Sequence, residues 1–173
     1  SMPQNPATGP DYSLQINELK RQLQSNPNDY ALLVQLGNTY FDSNMYPESI
    51  EAYEKSLALK PGNPNVLTDL GVMYRRNGQP AEAVKRFRMA AKADPTHLQS
   101  RMNLGVVLFY DLNDPLGARE ALEGLLKVYP QGPAADQARQ HGRTNAQPSA
   151  GDKDRQRAVA HAVAQERAHF RGD

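Results

Sequence analysis

The chain has 173 residues, 39% of them hydrophobic, with 20 Lys+Arg against 19 Asp+Glu, and its mean hydropathy is −0.72. That length holds one domain of ordinary size, or a smaller one with tails, and so polar an average calls for a folded part with solvated ends. A net charge of +1 gives no global attraction to nucleic acid or anionic membrane. The lack of any cysteine excludes disulfides, thiolate zinc sites, cysteine-ligated clusters and a cysteine nucleophile.

Taken from the start, Ser1-Met2 reads as a protease-cleavage scar, and residues 1–12 as that scar plus a disordered leader. A proline-rich leader of this kind suits a linker from an N-terminal membrane anchor lying upstream. A chain without thiols is safe in cytoplasm and periplasm alike, so the compartment stays open between the two. No apolar run approaches the roughly 18 residues needed to cross a bilayer, and direct membrane insertion is not expected. Over Ser13–Ser25, Leu14, Ile16, Leu19 and Leu23 supply apolar positions at helical spacing, which predicts a capping helix.

A repeat follows. Leu36-Gly37, Leu70-Gly71 and Leu104-Gly105 recur every 34 residues, as do Pro27, Pro61 and Pro95, with Pro130 after 35. Tyr40, Tyr74 and Leu108 lie three residues beyond the glycines. Ser49, Ala83 and Ala118 form a small set, Tyr53, Phe87 and Leu122 a large one, and Ser56, Ala90 and Leu125 close the pattern. Each unit carries two apolar stripes at i, i+3, i+4 and i+7, the mark of paired amphipathic helices. The pairs are predicted at Tyr30–Ser43 with Pro47–Leu59, Pro64–Asn77 with Pro80–Ala93, and Leu98–Tyr110 with Pro115–Tyr129. Asn28, Asn63 and Thr96 are expected to cap the first helix of each pair, and Pro47, Pro80 and Pro115 to open the second. Glycine inside a helix costs about 1 kcal/mol against alanine. The expected offset is close approach of the partner helix at Ser49, Ala83 and Ala118. The third unit has one residue more between Leu108 and Ala118, placed in a longer turn over 110–114.

These positions in register resemble the tetratricopeptide repeat (TPR) family, in three copies over 30–63, 64–97 and 98–132. The resemblance implies an all-α, right-handed superhelical solenoid of antiparallel helix pairs. Stacked pairs need covers at both ends. Residues 133–141, with Ala134, Ala135 and Ala138, are expected to supply the second, so that the domain spans 13–142. Gly, Asn, Pro and Ser make 143–152 a linker, and alanine-rich 153–170 reads as one more helix in a tail reaching 173.

Motifs for catalysis are missing. There is no phosphate-binding glycine loop, nucleophile elbow or His-Glu-x-x-His pair. His161 and His169 are about 12 Å apart along a helix, too far for one metal. No enzyme activity, cofactor or metal is expected, and carboxylates such as Glu51 and Glu54 read as a solvated outer face.

What remains is a surface. In the family the first helices line a concave groove. The resemblance assigns to it Val34, Asn38 and Phe41, then Thr68, Asp69, Val72, Arg75 and Arg76, then Met102, Asn103, Val106, Phe109 and Tyr110. The valines also suit packing between neighbouring helices. The family's clamp for acidic C-terminal tails would fall on Val34, Asn38, Asp69, Gln99 and Asn103, where only Asn38 matches. Asp69 would repel a carboxylate, so an apolar or amphipathic segment of a partner protein suits the groove better. Between Arg75 and Arg101 the chain has seven Lys/Arg and two acids. That run reads either as a dipolar, solvated solenoid or as a surface that steers an acidic partner or a second copy. No aromatic residues interleave with it for nucleic-acid stacking. Two functions follow: an adaptor binding a partner segment, or a self-assembling scaffold in which a terminal helix, such as 153–170, fills the next copy's groove.

Overall fold

The computed structural model describes residues 10–144, and they form eight α-helices and one π-helical turn. The elements are α1 (Ser13–Ser25), α2 (Tyr30–Asp42), α3 (Tyr46–Leu59), α4 (Pro64–Arg76), α5 (Pro80–Ala93), α6 (Leu98–Val106), the π turn (Val107–Asp111), α7 (Pro115–Val128) and α8 (Pro133–Thr144). Each helix packs on its chain neighbours, and in addition α4 touches both α2 and α6. Thus the first helices of the three pairs, α2, α4 and α6, line one side of the stack. The α8 helix runs on through Thr144, past the residue at which the linker was expected to begin. The expected tail helix over 153–170 lies outside the described residues.

The first helices are capped at a constant register: Asp29, Asn63 and His97, each 34 residues apart. Asp29 Oδ1 accepts from Leu32 N at 3.0 Å, and Asn63 Oδ1 from Asn65 N at 3.0 Å. His97 Nδ1 accepts from Ser100 N at 3.3 Å. The expected caps Asn28 and Thr96 are one residue early. The Thr96 hydroxyl is engaged by Asp94 Oδ1 at 2.7 Å in a local turn, whereas the residue beside the helix has the extended backbone that a cap needs.

Within each pair a large side chain lies over the glycine. A Cβ built on Gly71 would come 2.5 Å from Phe87 Cε1, one on Gly37 would come 2.5 Å from Tyr53 Cδ1, and one on Gly105 would come 2.9 Å from Leu122 Cδ2. The offset for the helical glycines is therefore mainly the ring or branched chain four residues beyond the small position. The small residues help by letting the backbones close: Ser49 is buried and its hydroxyl donates to Gly37 O at 2.8 Å.

The core is divided into clusters that lie between helices of neighbouring units. Tyr53 and Leu57 of α3 pack with Val66, Leu67, Leu70 and Met73 of α4 and with Ala90 of α5. Ala83, Val84 and Phe87 of α5 meet Val107 and Leu108 of the π turn and Ala118 of α7. At one end Leu19 of α1 covers Leu36, Tyr40 and Ala52, with Ile16 and Leu23 beside it. Leu14 is 80% exposed and takes no part. At 100° per residue it points at least about 140° away from those three. At the other end Ala135 and Ala138 of α8 are buried, and Ala138 packs on Leu122 and Leu125.

The extra residue of the third unit does not lengthen the turn. In the first two units the Met45 and Gln79 amides donate back five residues, to Tyr40 O and Tyr74 O, whereas Asp114 N donates back six, to Leu108 O. Asn44, Gly78 and Asn113 hold the same left-handed position just before the next helix (φ 58°, 76° and 51°). The turn is thus constant, and the insertion is absorbed as the wide π turn, a known way for a helix to take in one residue. The ion pairs also correct the reading of the outer face. Glu54 accepts from Tyr74 Oη at 2.8 Å and from Arg86 Nη2 at 2.7 Å, tying α3, α4 and α5 together.

Gly71→Val forces a branched side chain into the Phe87 ring, which is itself fully buried and cannot swing aside. A loss of about 1–3 kcal/mol or more is expected, read as a lowered urea midpoint at unchanged slope.

Candidate functional site

The side of the stack built by α2, α4 and α6 carries two recesses. The first, about 290 Å³, is lined by Asn38, Phe41 and Asp42 of α2, Tyr53 of α3 and Asp69 of α4. The second, about 630 Å³, is lined by Leu98, Gln99, Met102, Asn103 and Val106 of α6, by Asp94, Thr96 and His97 before it, and by Gln137 of α8. One is walled by two acids and two aromatic rings, the other mainly by aliphatic and amide side chains.

In the first recess, the Tyr53 hydroxyl donates to Asn38 Oδ1 at 2.7 Å. Burial, then the charges of Asp69 and Asp42, push the Tyr53 phenol above its ordinary range. Asp69 is half-buried, and among the described residues it has neither a hydrogen-bond donor nor an ion-pair partner. Burial, then the neighbouring Asp42 carboxylate, raise its pKa from 3.8 to about 6. The Phe41 ring packs at the edge of the core, and the Arg76 guanidinium stands over it at 5.0 Å from the ring centre.

The remaining expected groove residues divide. Val34 and Val72 are half-buried and pack on the central cluster, so they act in the stack as well as on the surface. Thr68 is not a groove residue: it is 2% exposed, and its hydroxyl bonds Pro64 O within its own helix. Arg75 is held by a fork onto Asp111, with Nη2 3.2 Å from Oδ1. Phe109 is half-buried against the Ala83–Phe87 cluster, whereas Tyr110 is 58% exposed. Tyr110 sits edge-on to Phe109 at 4.7 Å and to His141 at 6.1 Å between ring centres. Met102, Asn103 and Val106 meet in the second recess. Much of the basic run is engaged within the chain: Arg75 by Asp111, Lys85 by Glu82, Arg86 by Glu54, and Arg101 by Pro95 O.

The sequence reading missed Tyr53, which comes from a second helix. The signal was present in the repeat itself, because the first unit has a tyrosine where the others have Phe87 and Leu122. That hydroxyl has to find a polar partner at the far side of α2. Among the described residues no group of three or more potential metal ligands occurs, and no helix is long and apolar enough to cross a membrane.

Stacked helical hairpins with one face built from every first helix define a helical-repeat solenoid. Two family models, described as TPR repeat and tetratricopeptide repeat, match residues 37–78 and 68–133. Together they span more than half of the sequence, and the chain belongs to the tetratricopeptide-repeat family. It is 31% identical over 87 residues to the heat-shock protein cognate co-chaperone sgt12 of Aspergillus fumigatus, covering 50% of this chain and 25% of that protein. It is 26% identical over 93 residues to Hsp70-Hsp90 organizing protein 2 of Arabidopsis thaliana, covering 54% and 16%. The chain thus spans a quarter or less of the length of these relatives. Among solved structures, MamA superposes with a TM-score of 0.69 at 19% identity over 91% of this chain and 85% of that one. The first TPR of Spaghetti (RPAP3) bound to the HSP90 peptide SRMEEVD gives 0.59 at 24% identity over 68% and 94%. Both likenesses are of fold.

Asp69 also sets a pH dependence. A carboxyl raised in the folded state supports folding fully below about pH 4, and that support is lost as the pH rises through about 6. The groups facing it are Asp42 from α2 and the Tyr53 hydroxyl from α3. Asp69→Asn removes the charge at every pH. It is expected to raise the melting temperature at pH 7.5, and calorimetry should show the gain shrinking as the pH falls toward about 4.

Proposed function

We propose that this chain is a non-enzymatic protein–protein interaction module that holds an apolar or amphipathic segment of a partner protein in the concave groove of α2, α4 and α6. The observation that carries the reading is the set of apolar and aromatic side chains that this face leaves partly or largely accessible. Phe41 and Met102 each pack on a core cluster with part of their surface and line a recess with the rest, Val106 lines the second recess, and Tyr110 is 58% exposed. Aromatic anchors set beside well-packed recesses are the usual composition of binding hot spots. The co-chaperone relatives and the peptide-bound RPAP3 structure make a peptide ligand the natural expectation for this surface.

The chemistry of that ligand differs from the RPAP3 case. The HSP90 peptide SRMEEVD carries three acidic residues, one of them at its end. Here the corresponding face has the Asp69 carboxylate, and its Asn38 carbonyl is already bonded to Tyr53. Like charges brought together in a half-buried site disfavour binding.

The test is peptide selection from a random 12-residue display library on the whole chain, followed by calorimetry. Tyr110→Ala is expected to weaken selected peptides by about 2 kcal/mol or more, whereas Lys55→Ala, which breaks only a pair with Glu51 on α3, leaves affinity unchanged. Equal losses at both positions would overturn the groove assignment. The SRMEEVD peptide itself is expected to show no saturable heat.

A further inference from the structure

We infer, building on the groove reading above, that the bound segment presents a lysine or arginine, and that its cationic head enters the recess formed by Asn38, Phe41, Asp42, Tyr53 and Asp69. Three independent observations converge on that chemistry.

The first is the electrostatic balance of the recess. Asp42 and Asp69 come from different helices, and their charges act on each other and on the Tyr53 hydroxyl. Among the described residues no lysine or arginine forms an ion pair with either carboxylate. Elsewhere in the stack Glu54, Asp111, Glu82 and Glu51 each have a cation, while Glu48, Glu120 and Glu123, which have none among the described residues, are exposed to solvent, unlike the half-buried Asp69. Two unneutralised carboxylates around a half-buried space attract a cation and repel an anion.

The second is the hydrogen-bond inventory. The single proton of Tyr53 is directed at Asn38 Oδ1, so its phenolic oxygen offers only lone pairs to the recess. With the two carboxylates this makes a lining rich in acceptors, which suits the several N–H donors of an ammonium or guanidinium.

The third is the wall. The chain's own Arg76 rests its guanidinium over the Phe41 ring, so this ring already accepts a flat cation from one side. The recess, at about 290 Å³, opens beside the same ring and is of side-chain rather than small-molecule dimensions. An apolar residue of the same segment would occupy the second recess at Met102 and Val106.

The experiment uses the whole chain and peptides from the random 12-residue library at pH 7.5. The expected result is enrichment of Lys or Arg flanked by apolar residues. Replacing that cation by norleucine should lower affinity about tenfold or more. Asp69→Asn should lower the affinity of the cationic peptide about as much while hardly affecting the norleucine peptide, which is the coupling a direct pair produces. Asp42→Asn serves as a second variant, with circular dichroism confirming that each remains folded. Peptides that lose affinity in Tyr110→Ala but show no preference for a cation, or are indifferent to both aspartate variants, would overturn the cation recess and leave the groove reading standing. Peptides indifferent to Tyr110→Ala as well, or no peptide recovered at all, would overturn the groove reading and this inference with it.

Discussion

A side chain lying flat on a glycine is the contact on which the architecture rests. Tyr53 over Gly37, Phe87 over Gly71 and Leu122 over Gly105 bring the two helices of each hairpin closer than any Cβ would allow. Such closeness joins the helices along one line and leaves each hairpin with apolar flanks that it cannot bury itself. Those flanks are covered only by the next unit, which is why Tyr53 and Leu57 share a cluster with residues of α4 and α5. Stability in such a stack is a sum over neighbours, and the two outer hairpins need α1 and α8 for the same reason that the central one needs them both. Alanines suffice at the far end because Ala135 and Ala138 let α8 lie close against α7.

Because the core forms between hairpins, the inner faces of α2, α4 and α6 are only partly engaged in packing, through residues such as Val34, Val72 and Met102, and their exposed positions can differ at little cost to the fold. The chain uses that freedom unevenly. Toward the first hairpin the face is acidic and holds a carboxylate with no partner among the described residues. Toward the third it is aliphatic and aromatic. The outer and flanking positions show the opposite tendency, since Glu54, Tyr74 and Arg86 close on one another across three helices. Polar groups that serve the stack are mostly paired, although Arg86 Nε is buried without a hydrogen-bond partner, whereas the Asp69 carboxyl, raised by burial, faces the groove. That segregation is the pattern expected where binding, rather than folding, sets the residue.

The period of 34 made the helix pairs legible to within a residue or two, because apolar spacing reports directly which face of a helix is covered. The same period held the correct caps: counting 34 either way from Asn63 reaches Asp29 and His97, whereas residue-type preference alone favoured Asn28 and Thr96. Spacing was less informative about depth. Thr68 lies one position from Asp69, yet it is sealed while Asp69 is half open, a difference set by how closely neighbouring first helices approach. Tyr53 and Glu54 were hidden for another reason. Their polar ends reach across to α2, and to α4 and α5, and reach is a property of side-chain length and packing angle that a one-dimensional pattern does not carry. The insertion was visible as a count, but only the backbone bonding shows that a helix absorbed it.

The wide turn at Val107–Asp111 also gives the array a reading direction. Its Asp111 is gripped by Arg75, which the preceding hairpin supplies from the end of α4. The matching place is Phe41 in the first hairpin and Phe109 in the third, so neither could grip a copy of the third unit set behind it. Duplication or shuffling of hairpins, the ordinary route by which such arrays lengthen, would therefore leave an orphaned aspartate at any joint except this one. The three units look alike in outline, but this contact ties the third to the unit before it in a way that neither of the other units could repeat.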